Sequence, residues 1–218
     1  MKPITFWLLG AATLSSLIAC SSMSEMNDSL RSKRSCCTSF RELPYVEADA
    51  ANKMDFASSD SSPVFQFPEG KSFFMALRLP QSLSPGVADL EVRFSRSILD
   101  PYKGTVRAFC PAYTLLRDDF SEIKSSAVQV RYAAPTWTKG GRWVGQIVIP
   151  DGARYIVLHT SDHLLEGSVN MGPHGGYIGP YTDLGPDVYT SMHSDGNAGN
   201  VFCAPDANLS IQVRGFHS

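Results

Sequence analysis

The strongest constraint in this sequence is a period of two. Phe73, Met75, Leu77 and Leu79 share one parity, and so do Leu90, Val92 and Phe94, with Glu91 and Arg93 on the opposite side. Successive side chains of a strand point to opposite faces, so this alternation predicts strands with one buried face. Runs rich in β-branched and aromatic residues recur over 105–109, 113–116, 128–132, 142–149, 153–159 and 209–213. Turn signals stand between them, at 68–70, 84–86, 139–141 and 150–152, each built from Pro or Gly. Helical spacing is sustained nowhere over about ten residues, and only 39–43 and 162–166 read as brief helices. Roughly seven to nine short strands separated by turns predict an all-β chain, an antiparallel β-sandwich of jelly-roll-like kind. A closed β-barrel is the alternative, because alternation does not distinguish two packed sheets from one closed sheet.

The stretch from Gly167 to Asp206 breaks the pattern, with glycines and aromatics in place of alternation. A loop of this length in a compact domain is functional or poorly ordered. Flat rings with polar edges suit sugars, whose apolar ring faces stack while their hydroxyls seek partners, so His174, Tyr177 and Tyr181 are candidate ligand-binding residues. The competing reading has these rings capping the end of the sandwich.

The N-terminus reads as an export signal. Lys2 precedes an apolar run from Ile4 to Leu17, too short for the roughly 20 apolar residues of a membrane span. The run ends in Leu17, Ile18, Ala19 and Cys20, which resembles the bacterial lipobox. That resemblance implies removal of residues 1–19 and acylation of Cys20, with Ser21 favouring transfer to the outer membrane and a domain facing the periplasm. More than one acyl chain holds a protein stably on a bilayer. Residues 20–35, rich in Ser, read as a lipidated flexible tether with a reach of roughly 20 Å, and 36–218 as one β-sandwich domain with a core of ordinary size.

The formal net charge of −2 and the lack of a basic face argue against a nucleic-acid partner. Besides Cys20 the chain carries Cys36, Cys37, Cys110 and Cys203. In an oxidising envelope these read as disulfides. The adjacent Cys36 and Cys37 lack the C-x₂-C spacing of a metal knuckle. Four cysteines allow three pairings. Closing the long loop between Cys110 and Cys203 stabilises more in chain-entropy terms than an adjacent Cys36–Cys37 bridge could, which favours that pair without fixing it.

Nucleophile elbows, zinc-protease helices and phosphate loops are all missing from the sequence. His159 and His163 flank Asp162, a combination that acid/base or metal chemistry would need, but a strand leading into a turn does not hold them on one face. The reading is therefore a non-enzymatic accessory or binding protein without metal or cofactor, its partners the membrane through the lipid and a carbohydrate or envelope protein. The alternative is an envelope hydrolase using His159 and His163.

Several stretches resemble the maltose operon periplasmic protein family and its lipoprotein relatives. They are Cys36-Cys37 before Phe40 to Tyr45, Ser62 to Phe67 leading to Gly70 to Phe74, Leu79-Pro80, Phe109 to Leu116 with Asp119-Phe120, and Tyr155 to Thr160. The resemblance implies a periplasmic β-rich domain linked to uptake of maltose or maltodextrin, and brings no catalytic residues with it. The chain departs from the family pattern in its Gly/Tyr-rich stretch and in lacking a Pro-rich linker.

Overall fold

A computed structural model describes residues 23–59, 61–96, 106–133, 142–165, 168–170 and 200–216. Cys20, His174, Tyr177 and Tyr181 lie outside the described residues, as does the side chain of His163. The chain is an all-β, sandwich-like fold. One five-stranded sheet runs, edge to edge, Val46–Glu47, Met75–Arg78, Tyr155–His159, Ala112–Leu116 and Glu122–Ala127. A second runs Val130–Ala133, Arg142–Ile149, Gly86–Arg93, Asn208–Gly215 and Met54–Ala57, antiparallel throughout. Among the described residues each sheet ends in two edge strands, and neither closes as the barrel considered above.

The second sheet has the alternation that its sequence announces. In the Gly86–Arg93 strand Ala88, Leu90 and Val92 are buried while Val87, Asp89 and Glu91 are half-buried. Val92 stands between Leu209 and Trp143 across the sheet, in one of the apolar rows that face the core. The other face carries paired charges: Asp89 with Arg214, Glu91 with Lys53 and Arg142, Asp55 with Arg93. That face needs no cover. Gly86 and Gly215 sit opposite each other where the Gln81–Leu83 3₁₀ turn crosses the sheet, and a Cβ at either would run into backbone carbonyl oxygens.

The first sheet is different, because two of its three inner strands, Tyr155–His159 and Ala112–Leu116, are buried at every position. Ile156, Leu158, Leu77 and Leu115 share the core with the second sheet. Tyr155, Val157, Ala76 and Leu116 face the other way, into a second apolar cluster with Leu43, Phe65, Phe67 and Phe74. A buried outer face needs a lid. The hairpin of Val64–Phe67 and Gly70–Phe73, with residues 36–45 beside it, supplies that lid. The run from Phe73 to Leu79 is accordingly not one strand: it breaks at Phe74, leaving Gly70–Phe73 in the hairpin and Met75–Arg78 in the sheet.

A smaller sheet of Ser168–Asn170, Asn200–Ala204, Val106–Phe109 and Ser95–Arg96 adds Val201, Cys203, Ala108 and Phe109 to the main core. Its first two strands correct the reading of 167–206 as strandless at both ends, since Val201 and Cys203 reach the core only when the chain pairs in parallel beside Val106–Phe109. Cys203 is bonded to Cys110 with a Cα separation of 5.3 Å, and Cys36 to Cys37.

The flexible-tether reading of 20–35 is also corrected. Met23–Ser32 is a helix, and Leu30, 1 % exposed, is buried with Val64, Phe73 and Leu165. Lys71 fastens the end of this segment by donating to the carbonyls of Arg31 (2.8 Å) and Lys33 (2.7 Å). Among the described residues no helix is long and apolar enough to cross a membrane.

Candidate functional site

The lid over the first sheet does not seal it, and two hollows remain on either side of Phe67. The larger, about 540 Å³, has four phenylalanines in its wall, Phe40, Phe65, Phe67 and Phe120, with Thr38, Ser39, Gln66 and Arg41 among its polar lining groups. Local bonds build its rim. The Cys36 amide donates to the Val64 carbonyl (2.7 Å), Cys37 packs on the outer cluster, and the Thr38 amide and hydroxyl donate to the Glu42 carboxylate (2.8 to 3.1 Å). Those bonds hold the Glu42 carboxyl below its usual range and shape the Phe40–Glu42 3₁₀ turn that presents Phe40 and Arg41. The Tyr45 hydroxyl donates to the Phe40 carbonyl (2.8 Å), and burial pushes this phenol well above its ordinary range.

Phe120 forms the far wall with φ of +68°, a region where a bulky side chain costs on the order of 1–3 kcal/mol. The turn imposes it: Arg117 and Ser121 close the loop backbone (2.9 Å), and the Ser121 amide donates to Asp119 (2.9 Å). The return is a ring stacked on Tyr155 at 4.6 Å, with the Arg41 guanidinium over Phe120 at 5.4 Å. Strain of this kind gathers where geometry serves binding.

The smaller hollow, about 140 Å³, is lined by Glu69, His159, Ser161 and, from the Glu122–Ala127 strand, Ser125 and Ser126. His159 closes its strand, 1 % exposed, its ring stacked on Phe67 at 3.9 Å. Both of its nitrogens have partners, Nδ1 with the Thr160 carbonyl (2.9 Å) and Nε2 with the Thr114 hydroxyl (3.2 Å). Because a carbonyl only accepts, Nδ1 carries the proton and Nε2 accepts from Thr114. Burial holds the imidazole below its ordinary pKa. His163 falls in the short Asp162–Leu165 helix. Among the described residues no group of three or more His, Cys, Asp and Glu could hold a metal ion.

Sequence reasoning singled out His159, and the structure puts it beside a hollow, but it missed the phenylalanine cleft. Phe65 and Phe67 in one short run and Phe40 and Phe120 in irregular segments were the available signal. Compared with known proteins, the chain matches no family model, no curated protein and no solved structure.

Proposed function

We propose that this chain is a lipid-anchored protein of the bacterial outer membrane, facing the periplasm, that binds a carbohydrate of maltodextrin type in the phenylalanine cleft without transforming it. One observation carries the reading: the cleft sets aromatic walls against a polar lining of Thr38, Ser39, Gln66 and Arg41. A pyranose has the same division, with apolar C–H faces that stack on rings and hydroxyls that need hydrogen-bond partners. Phe40, half-buried on the turn, is the ring placed to stack, and the exposed Arg41 is the donor beside it. The lipobox at Cys20 and the resemblance to the maltose operon periplasmic protein family support the location and the ligand class. A binding role also agrees with His159, whose two nitrogens are both engaged by Thr160 and Thr114.

Calorimetric titration of the mature chain with maltodextrin tests this reading. Binding is expected, with Phe40→Ala weakening it at least about tenfold, the loss of one well-placed stacking contact of roughly 1.4 kcal/mol, while the variant, which also loses packing on Phe65 and Phe67, stays folded at the titration temperature. If Tyr177→Ala or Tyr181→Ala weakens binding and Phe40→Ala does not, the ligand belongs to the 167–206 stretch. The absence of any heat of binding refutes the carbohydrate reading.

A further inference from the structure

The smaller hollow presents a hydrogen-bonding pattern of one kind. The His159 tautomer fixed above makes Nε2 an acceptor, so the Thr114 hydroxyl spends its proton on that nitrogen. Thr114 Oγ1 therefore accepts at its bond to Ser125 Oγ (3.2 Å), and Ser125 spends its own proton there. Ser126 donates to the Ala127 carbonyl (3.3 Å). The Ser125 hydroxyl thus turns only lone pairs toward the cavity, on the face it shares with Thr114, whereas Ser126 pairs with Tyr113 and its side chain stands on the opposite face of the sheet. Glu69 adds a carboxylate whose Oε2, out of contact with solvent, has no hydrogen-bond partner among the described residues. Ser161 alone keeps a proton to give, since its oxygen accepts from the Leu164 amide (3.3 Å).

Buried polar atoms in folded proteins are almost always paired, and a lone unpaired carboxylate oxygen calls for an explanation. We propose that this hollow binds a primary ammonium group on a short hydroxylated stem. The ammonium has three donors and no acceptor, the complement of the Glu69 carboxylate and the Ser125 hydroxyl. A neighbouring hydroxyl oxygen accepts from Ser161. The volume, about 140 Å³, holds a group of a few heavy atoms, given that a water molecule occupies about 30 Å³. A carboxylate or phosphate seated inside the hollow would meet lone pairs and a negative charge, so an acidic group attached to the ligand has to lie outside its mouth. The site is separate from the phenylalanine cleft, and its test does not depend on what binds there.

Ethanolamine is the probe, with ethylene glycol as its uncharged match, each titrated by calorimetry into the mature chain. Ethanolamine binding at least tenfold tighter than ethylene glycol is the expected result. Glu69→Gln keeps the shape and removes the charge of a half-buried side chain at the hairpin turn; it is expected to abolish the preference without lowering the melting temperature. Ser125→Ala, which removes one acceptor, should weaken ethanolamine several-fold. Glycerophosphoethanolamine distinguishes the source: affinity matching or exceeding that of ethanolamine points to a lipid headgroup, lower affinity to a free amine, and both keep the ammonium assignment. Equal binding of ethanolamine and ethylene glycol, binding of neither, or displacement of ethanolamine by calcium ions at equal concentration overturns it.

Discussion

Replacing Cys110 and Cys203 together by alanine removes the crosslink between the end of the Val106–Phe109 strand and the Asn200–Ala204 strand. The bridge spans 93 residues. In the chain-entropy relation a loop of that length deprives the unfolded chain of about 16 cal/mol/K, or about 4.6 kcal/mol at 25 °C. Both residues are buried, at 1 % and 0 % exposure, so the missing sulfurs leave a void that costs on the order of 1 kcal/mol more. The neighbouring Cys36–Cys37 bridge has a sequence separation of 1, and the same relation assigns it less than about 1 kcal/mol. Urea unfolding of both double alanine variants separates the two cases. The Cys110/Cys203 variant is expected to lose about 5–6 kcal/mol, and in calorimetry about 10–24 °C of melting temperature, taking 2–4 °C per kcal/mol for a domain of this size. The Cys36/Cys37 variant should stay near the parent. A Cys110/Cys203 loss below about 2 kcal/mol, or equal losses in the two variants, would refute the assignment of the long bridge as the one that stabilises the fold.

Legibility in the sequence tracked solvent. Gly86–Arg93 was readable because its outer face carries Asp89 and Glu91 in half-exposed rows, so burial alternates as the letters do. Tyr155–His159 is buried on both faces, and no period-two signal survives; only its β-branched and aromatic content marks it as a strand. Val64–Phe67 suffers the same loss, with Val64, Phe65 and Phe67 all buried. The Met23–Ser32 helix did leave a trace, since Met23, Met26 and Leu30 recur at spacings of three and four, but the polar residues around them masked it. The 3₁₀ turn and the short helix near 162 were found because brief apolar spacing within a turn region suffices for them. The cleft could not be found this way. Phe40 and Phe120 stand on turns, where periodicity carries no information, and they meet only because a hairpin folds across a sheet whose outer face cannot remain wet.

Two further tests address the lid and its histidine. Leu30→Ala is expected to cost about 2–4 kcal/mol, as for other buried leucines, and to speed proteolysis within residues 23–35; unchanged cleavage would mean the helix does not depend on that contact. His159 predicts a pH dependence whose sign follows from its burial. The folded imidazole titrates below its ordinary value, desolvation being the largest cause, whereas in the unfolded chain it titrates near 6.5. Below that pH the unfolded chain takes up a proton that the folded ring refuses, so the stability present above about 6.5 drains away as pH falls toward the folded pKa, at up to about 1.4 kcal/mol per pH unit. The other four of the five histidines are common to parent and variant, so the difference between the unfolding free energies of the parent and His159→Gln, measured by urea from pH 7.5 to 5.0, isolates this group. The parent should lose its margin over the variant on acidification; parallel profiles would show that His159 is protonated as readily folded as unfolded, and the tautomer that orders the Thr114 and Ser125 hydroxyls would fall with it.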